Sequence, residues 1–213
     1  MDVLAELMQR VLVPVVVLRE AGDAGFLAEA LVAGGLPVAE VTFRTAAAPE
    51  AIRVMADRGD VLVGAGTVLT AGQVDQAVAA GARFVVSPGT SRAVVERCAE
   101  HGIVALPGAV TATEVQAALE LGIDTVKFFP AGTSGGPAAI TALAAPFGGV
   151  RFVPTGGVGP GNLAQYLAVR SVVAVGGSWM VPPDRIAAGD RSGLVDLIST
   201  AVATAQAARP TAA

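Results

Sequence analysis

Apolar positions along this chain follow two periods, and the two alternate. Val3, Leu4, Leu7, Met8 and Val11 fall at helical spacing and predict a first helix over residues 2–11. Residues 13–18 are a continuous, largely β-branched run, which predicts a strand buried on both faces. Similar short runs predict strands at 38–42, 61–65, 83–87, 103–106, 125–129, 151–154 and 172–175. Ala-rich helical segments lie between them, at 23–33, 49–57, 71–80, 92–100, 112–121, 136–145 and 160–168. Asp23 is a candidate cap for the first of these and Gly34-Gly35 its exit, while Gly81, Gly102 and Gly122 close later helices.

Eight strands alternating with helices require right-handed crossovers and a parallel sheet. The fold expected is α/β, a single (β/α)8 barrel with an extra N-terminal helix, filling residues 1–200 as one domain. Residues 201–213 read as the end of a helix that frays into a tail. A doubly wound open sheet would show the same spacing. It would not place polar residues at the end of nearly every strand, as Glu40, Thr42, Arg44, Thr67, Ser87, Lys127 and Thr155 are placed here. In a barrel these all reach the C-terminal face, where chemistry sits.

Composition narrows the chemistry. Of 213 residues, 53% are hydrophobic and 15% charged, so most elements should be covered on both faces. A net charge of −4 and the lack of a basic patch argue against nucleic acid as a partner. Residues 1–10 carry acids and no basic stretch, unlike a signal peptide, and no apolar run is long enough for a membrane span. Cys98 is the one cysteine, which rules out an internal disulfide and fits a reducing compartment such as the cytoplasm. With one cysteine and His101 the one histidine, a zinc site, a Ser-His-Asp triad and a Cys-His pair are all poorly supported. No metal or cofactor is expected.

Lys127 is the only lysine, in the run Asp124-Thr125-Val126-Lys127-Phe128-Phe129-Pro130-Ala131. Strand alternation puts it on one face with Thr125 and Phe129. Burial disfavours an ammonium ion, and a neutral amine in a dry pocket is what an imine-forming nucleophile needs. The same position also suits a structural lysine whose head reaches water. Glu40 reads either as a proton carrier beside that amine or as a counter-ion for Lys127 or Arg44. Arg44 has the planar fork for a carboxylate or phosphate. Thr67, after the glycines of Gly64-Ala65-Gly66, stands where backbone could approach a ligand. Two glycine-rich turns, Thr155-Gly156-Gly157 and Gly176-Gly177-Ser178, follow the last two predicted strands, where barrels often bind phosphate. Arg19 could reach the same mouth or be a surface residue. His101 is placed on the opposite face, Cys98 in helix packing, and Trp179 as a loop anchor.

With these residues placed, the chain resembles the 2-keto-3-deoxy-6-phosphogluconate / 4-hydroxy-2-oxoglutarate (KDPG/KHG) aldolase family over about residues 3–200. The resemblance is carried by Glu40-Val41-Thr42-Phe43-Arg44-Thr45, Gly64-Ala65-Gly66-Thr67, Ser87-Pro88-Gly89, Pro107-Gly108, Lys127-Phe128-Phe129-Pro130-Ala131, Pro154-Thr155-Gly156-Gly157-Val158 and Gly176-Gly177-Ser178-Trp179. It implies a metal-free class I aldolase of carbohydrate metabolism, in the Entner-Doudoroff pathway, usually a cytoplasmic homotrimer. Its substrates would be a phosphorylated keto-deoxy sugar acid and pyruvate. The family's Schiff-base lysine falls on Lys127 and its general acid/base on Glu40. Its pyruvate contacts fall on Arg44 and Thr67, with Pro88 and Phe129 lining the pocket. The phosphate loops fall on Gly156, Gly157, Gly177 and Ser178, and Thr155 falls on a position tied to stereochemical choice. The same chemistry on 4-hydroxy-2-oxoglutarate or the galactonate epimer, and a non-catalytic sugar-phosphate binder, remain the alternatives.

Overall fold

The computed structural model describes residues 2–209. Helix α1 (Val3–Arg10) precedes β1 (Leu12–Val16), and the alternation then runs α2 (Asp23–Ala33), β2 (Val38–Thr42), α3 (Ala48–Arg58), β3 (Leu62–Gly66), α4 (Ala71–Ala79) and β4 (Phe84–Val86). It continues with α5 (Arg92–Glu100), β5 (Val104–Leu106), α6 (Ala112–Glu120), β6 (Thr125–Phe128), α7 (Gly136–Ala144), β7 (Arg151–Pro154), α8 (Leu163–Leu167) and β8 (Val175–Gly177). Two more helices, α9 (Pro183–Ala187) and α10 (Arg191–Ala208), end the described chain.

Every strand pair is parallel. Six strands form one curled sheet in the order β5-β4-β3-β2-β1-β8, and β6-β7 form a second. Single parallel bridges span the seams: Gly108 to Lys127 on one side, Phe152 to Val172 and Thr155 to Gly176 on the other. Parallel strands carry helices on their faces, so they read as unbroken apolar runs. β1, Leu-Val-Pro-Val-Val, is accordingly buried at all five positions.

Register decides which side chains meet. Val15 pairs with Glu40 and Glu40 with Gly64, so these three share one face across β1, β2 and β3. On β6 and β7 the face opposite Lys127 and Val153 carries Phe128 and Phe152, whose rings meet edge to face at 6.2 Å. The starts of the same two strands are tied by Arg151 and Asp124 at 2.6 Å. β6 is thus pinned at its entry and along its outer face, leaving Lys127 on the other.

Several expectations need correction. β8 lies at Val175–Gly177, not 172–175, because Leu12, Val13 and Pro14 of β1 pair with Val175, Gly176 and Gly177. The Gly176-Gly177 pair is therefore strand rather than turn. Asp23 opens α2 but makes no side-chain cap, the N-cap being Gly22. α8 starts at Leu163 because Asn162 builds a turn first: its Oδ1 accepts the Gly159 N–H and its Nδ2 donates to the Gly157 carbonyl, both at 2.9 Å. The C-terminal helix begins ten residues ahead of the segment read as its end, and α9 was not expected. The tail at 210–213 lies outside the described residues. Among the described residues no helix is long and apolar enough to cross a membrane.

Gly64 has an ordinary φ, yet a Cβ there would lie 2.4 Å from Cε2 of the fully buried Phe84. Gly64→Ala is expected to lower stability by about 1–3 kcal/mol through overpacking, read as a lower urea midpoint. Adding Phe84→Leu should restore part of the loss.

Candidate active site

Lys127 is the third residue of β6, and its backbone is fixed from both sides. Its N–H donates to the Pro107 carbonyl at 2.8 Å and its own carbonyl accepts the Ala109 N–H at 2.9 Å. On the other edge it pairs with Val153. Its side chain is buried, with Nζ donating to Glu40 Oε1 at 3.0 Å and standing 5.3 Å from the centre of the Phe129 ring. Glu40 is only 2% exposed. The amine and carboxylate singled out in the sequence are thus in direct contact, 87 residues apart in the chain.

Hydroxyls brace the β2 exit. Thr42 Oγ1 donates to the Val16 carbonyl at 2.9 Å and Thr45 Oγ1 to the Leu18 carbonyl at 2.6 Å. Between them Arg44 lines a cavity of about 280 Å³. Phe129, Thr155, Gly156, Gly157, Gly177 and Ser178 line the same cavity. Phe129 joins cavity and amine, because its ring lines the one and faces the other. It is linked to Pro130 by a cis peptide.

The cavity's far wall is stitched together by main chain. Ala131 N–H donates to the Thr155 carbonyl at 2.9 Å and Gly132 N–H to the Gly156 carbonyl at 2.8 Å. Gly156 and Gly157 both have left-handed φ, 87° and 79°, a conformation open to glycine at no steric cost. Asn162 holds the end of this turn, as described above.

Besides the Lys127–Glu40 pair, two expected residues lie apart from the cavity lining. Thr67 follows β3 with φ 56°, unusual for a β-branched residue, and is half-buried. Pro88 packs its carbonyl against Gly108, the residue that bridges to Lys127. The glycines of β3 were read as openings for a ligand, but they pack against side chains, Gly64 against Phe84 and Gly66 against Glu40. Arg19 is exposed and outside the cavity lining. Sequence reasoning missed Val15, Val17, Val158 and Pro183 in the wall. Alternation along the predicted run 13–18 could have shown Val15 and Val17; nothing local marks Pro183.

A primary amine held against a carboxylate, beside a cavity with an arginine and a glycine-rich turn, can add to a ketone and have its protons carried by the neighbouring oxygen. That equipment, on a parallel α/β sheet, defines the class of imine-forming enzymes. The chain belongs to the KDPG and KHG aldolase family, whose model matches residues 3–197. It is 55% identical over 189 residues to the 2-dehydro-3-deoxy-phosphogluconate aldolase of Treponema pallidum, covering 88% of this chain and 90% of the relative. Among solved structures, the 2-keto-3-deoxy-6-phosphogluconate aldolase of Zymomonas mobilis ZM4 with 3-phosphoglycerate matches at TM-score 0.91 and 42% identity, covering 98% of both chains. The KDPG aldolase of Legionella pneumophila, with pyruvate captured as a covalent carbinolamine intermediate, matches at TM-score 0.90 and 39% identity, over 94% of this chain and 98% of that one.

The remaining reactive side chains stand elsewhere. His101 caps α5 and its Nε2 lies 2.7 Å from Asp75 Oδ1. Among the described residues no group of three or more His, Cys, Asp or Glu could hold a metal ion. Cys98 is buried in α5, and burial pushes its thiol up to about 11. A raised value keeps the thiol protonated at pH 8, so a disulfide reagent should react with none in the folded protein and with one after denaturation. Folded-state reactivity should rise only as the pH approaches the thiol's own value.

Proposed function

We propose that this chain is a class I aldolase that reversibly cleaves 2-keto-3-deoxy-6-phosphogluconate to pyruvate and glyceraldehyde 3-phosphate. The observation that carries the reading is the buried contact of Lys127 Nζ with Glu40 Oε1 at 3.0 Å. A non-catalytic binder of sugar phosphates has no need of a desolvated amine and carboxylate in contact. The relatives named for this activity, including one holding a covalent pyruvate intermediate, support the same reaction class.

In the proposed sequence Lys127 attacks the C2 ketone, and loss of water gives an iminium that acts as an electron sink. Glu40, directly or through a water, takes the C4 hydroxyl proton. The C3–C4 bond breaks, the aldehyde leaves, and its electron pair remains as the enamine of pyruvate. Glu40 then returns a proton to the enamine carbon, and hydrolysis frees pyruvate and the amine. One carboxylate serves both half-reactions because the proton demand reverses between them. Arg44 and Thr67 hold the pyruvate carboxylate. Phe129 forms an apolar wall of the cavity, and Pro88, against the Gly108 that bridges to Lys127, closes the apolar side near the amine. Thr155 stands beside the new carbon centre. Gly156, Gly157, Gly177 and Ser178 offer backbone N–H groups and a hydroxyl to the terminal phosphate. The bridges at both seams support a closed eight-stranded barrel with α1 added before it, as one domain over residues 1–200. We place the enzyme in the cytoplasm, as a homotrimer in the Entner-Doudoroff pathway, working without metal.

Borohydride with pyruvate should trap a stable adduct on Lys127, located by peptide mass mapping, and Lys127→Arg should give none. Absence of an adduct in folded protein would reduce the chain to a binding barrel. Glu40→Gln should lower kcat by roughly 10²–10⁴-fold with the fold kept, as seen by circular dichroism. The intact glycine-rich turn favours a phosphate-bearing substrate, so kcat/KM should be higher for the phosphorylated keto acid than for 4-hydroxy-2-oxoglutarate. The opposite ratio would assign the unphosphorylated substrate instead.

A further inference from the structure

Gly66 is the last residue of β3, and its backbone gives no reason for glycine. Its φ lies outside the left-handed region that Gly156 and Gly157 occupy. It pairs with Thr42 in an ordinary parallel ladder. Space is what the position requires. A Cβ on Gly66 would lie 2.3 Å from Glu40 Oε1, 2.6 Å from its Cγ and 2.9 Å from its Cδ. Glu40 itself pairs with Gly64, one strand repeat earlier. Its side chain therefore leans toward the mouth and lies across the Gly66 Cα. There is little room for it to go elsewhere, since its side chain is 3% exposed and that of Lys127 9%.

We propose that Gly66 is a positioning residue for the reaction, the bare patch of β3 that seats the Glu40 carboxylate against Lys127 Nζ. The inference rests on the acid/base role of Glu40 given above. A methyl group at 66 strikes Glu40 near its root as well as at its tip, so the side chain must change rotamer rather than tilt. Any such change draws Oε1 away from the amine. The neighbouring glycine shows that the effect belongs to this position: at Gly64 the atom met is a core ring, and the cost falls on packing.

The test is Gly66→Ala, alone and in a Glu40→Ala background, with kcat, KM and thermal unfolding measured for each. A misplacement of about 1 Å costs on the order of 10²-fold in rate. Gly66→Ala should therefore lower kcat about 100-fold with KM nearly unchanged. In the Glu40→Ala background the same substitution should leave both the residual turnover and the unfolding midpoint where they were, because the atoms it strikes are gone. Equal losses in the two backgrounds, or wild-type kcat in folded Gly66→Ala, would overturn the proposal. If Gly66→Ala alone does not fold, a folded Gly66→Ala/Glu40→Ala protein supports the seat, and an unfolded one overturns it. Glu40→Gln run alongside separates the two readings. Full turnover there removes the role of Glu40, whereas lost turnover there with full turnover in Gly66→Ala removes only that of Gly66.

Discussion

A buried amine and a buried carboxylate 3.0 Å apart govern the design of this molecule. Taking an ammonium and a carboxylate out of water is costly for each ion, and their mutual attraction only partly offsets it. A pair of this kind contributes little to stability that apolar side chains of the same volume would not contribute better. Its presence in the interior is a sign of chemistry, and the surrounding fold is arranged to keep it in place. Each partner sits on its own strand, and neither strand moves freely. β2 is paired along its length to β3 and at Glu40 and Val41 to β1, and β6 is bridged or paired on both edges.

Small residues do much of that arranging. Gly66 leaves room for Glu40, Gly64 for Phe84, and Gly108 for the carbonyl of Pro88. Gly176 likewise faces Thr155, whose Oγ1 lies 2.3 Å from where a Cβ would be. These positions share a logic different from that of Gly156 and Gly157, where backbone conformation is the reason for glycine. One set shapes the interior by absence of side chain, and the other shapes the rim by freedom of φ.

Much of this was readable in the sequence because the relevant signals are local. β2 and β7 fall on the residues that apolar patterning indicates, and the lone lysine in an apolar run drew attention to β6. What failed was set by pairing across the fold. Val172-Val173-Ala174-Val175 is the better strand by propensity, yet β1 recruits Val175-Gly176-Gly177, because strand position is fixed by register with a neighbour. The start of α8 depends on a side-chain turn at Asn162 that composition does not announce. The contact of Glu40 with Lys127 spans the non-adjacent strands β2 and β6; reading Glu40 in the sequence as a proton carrier already set it beside the amine, and only its distance needed the fold. The uses of Gly64 and Gly66 were misread because the side chains that fill the space come from other strands.

The single lysine has a consequence for the protein's own surface. Every other basic side chain is an arginine. A guanidinium stays protonated and is a poor nucleophile toward a simple aldehyde, whereas an exposed lysine condenses readily. For an enzyme whose proposed product is an aldehyde sugar phosphate, the solvent-facing side chains are thereby refractory to glycation by what it releases. Side-chain amines are confined to one sheltered address, so carbonyl reagents that enter the molecule meet Lys127 and no other side-chain amine.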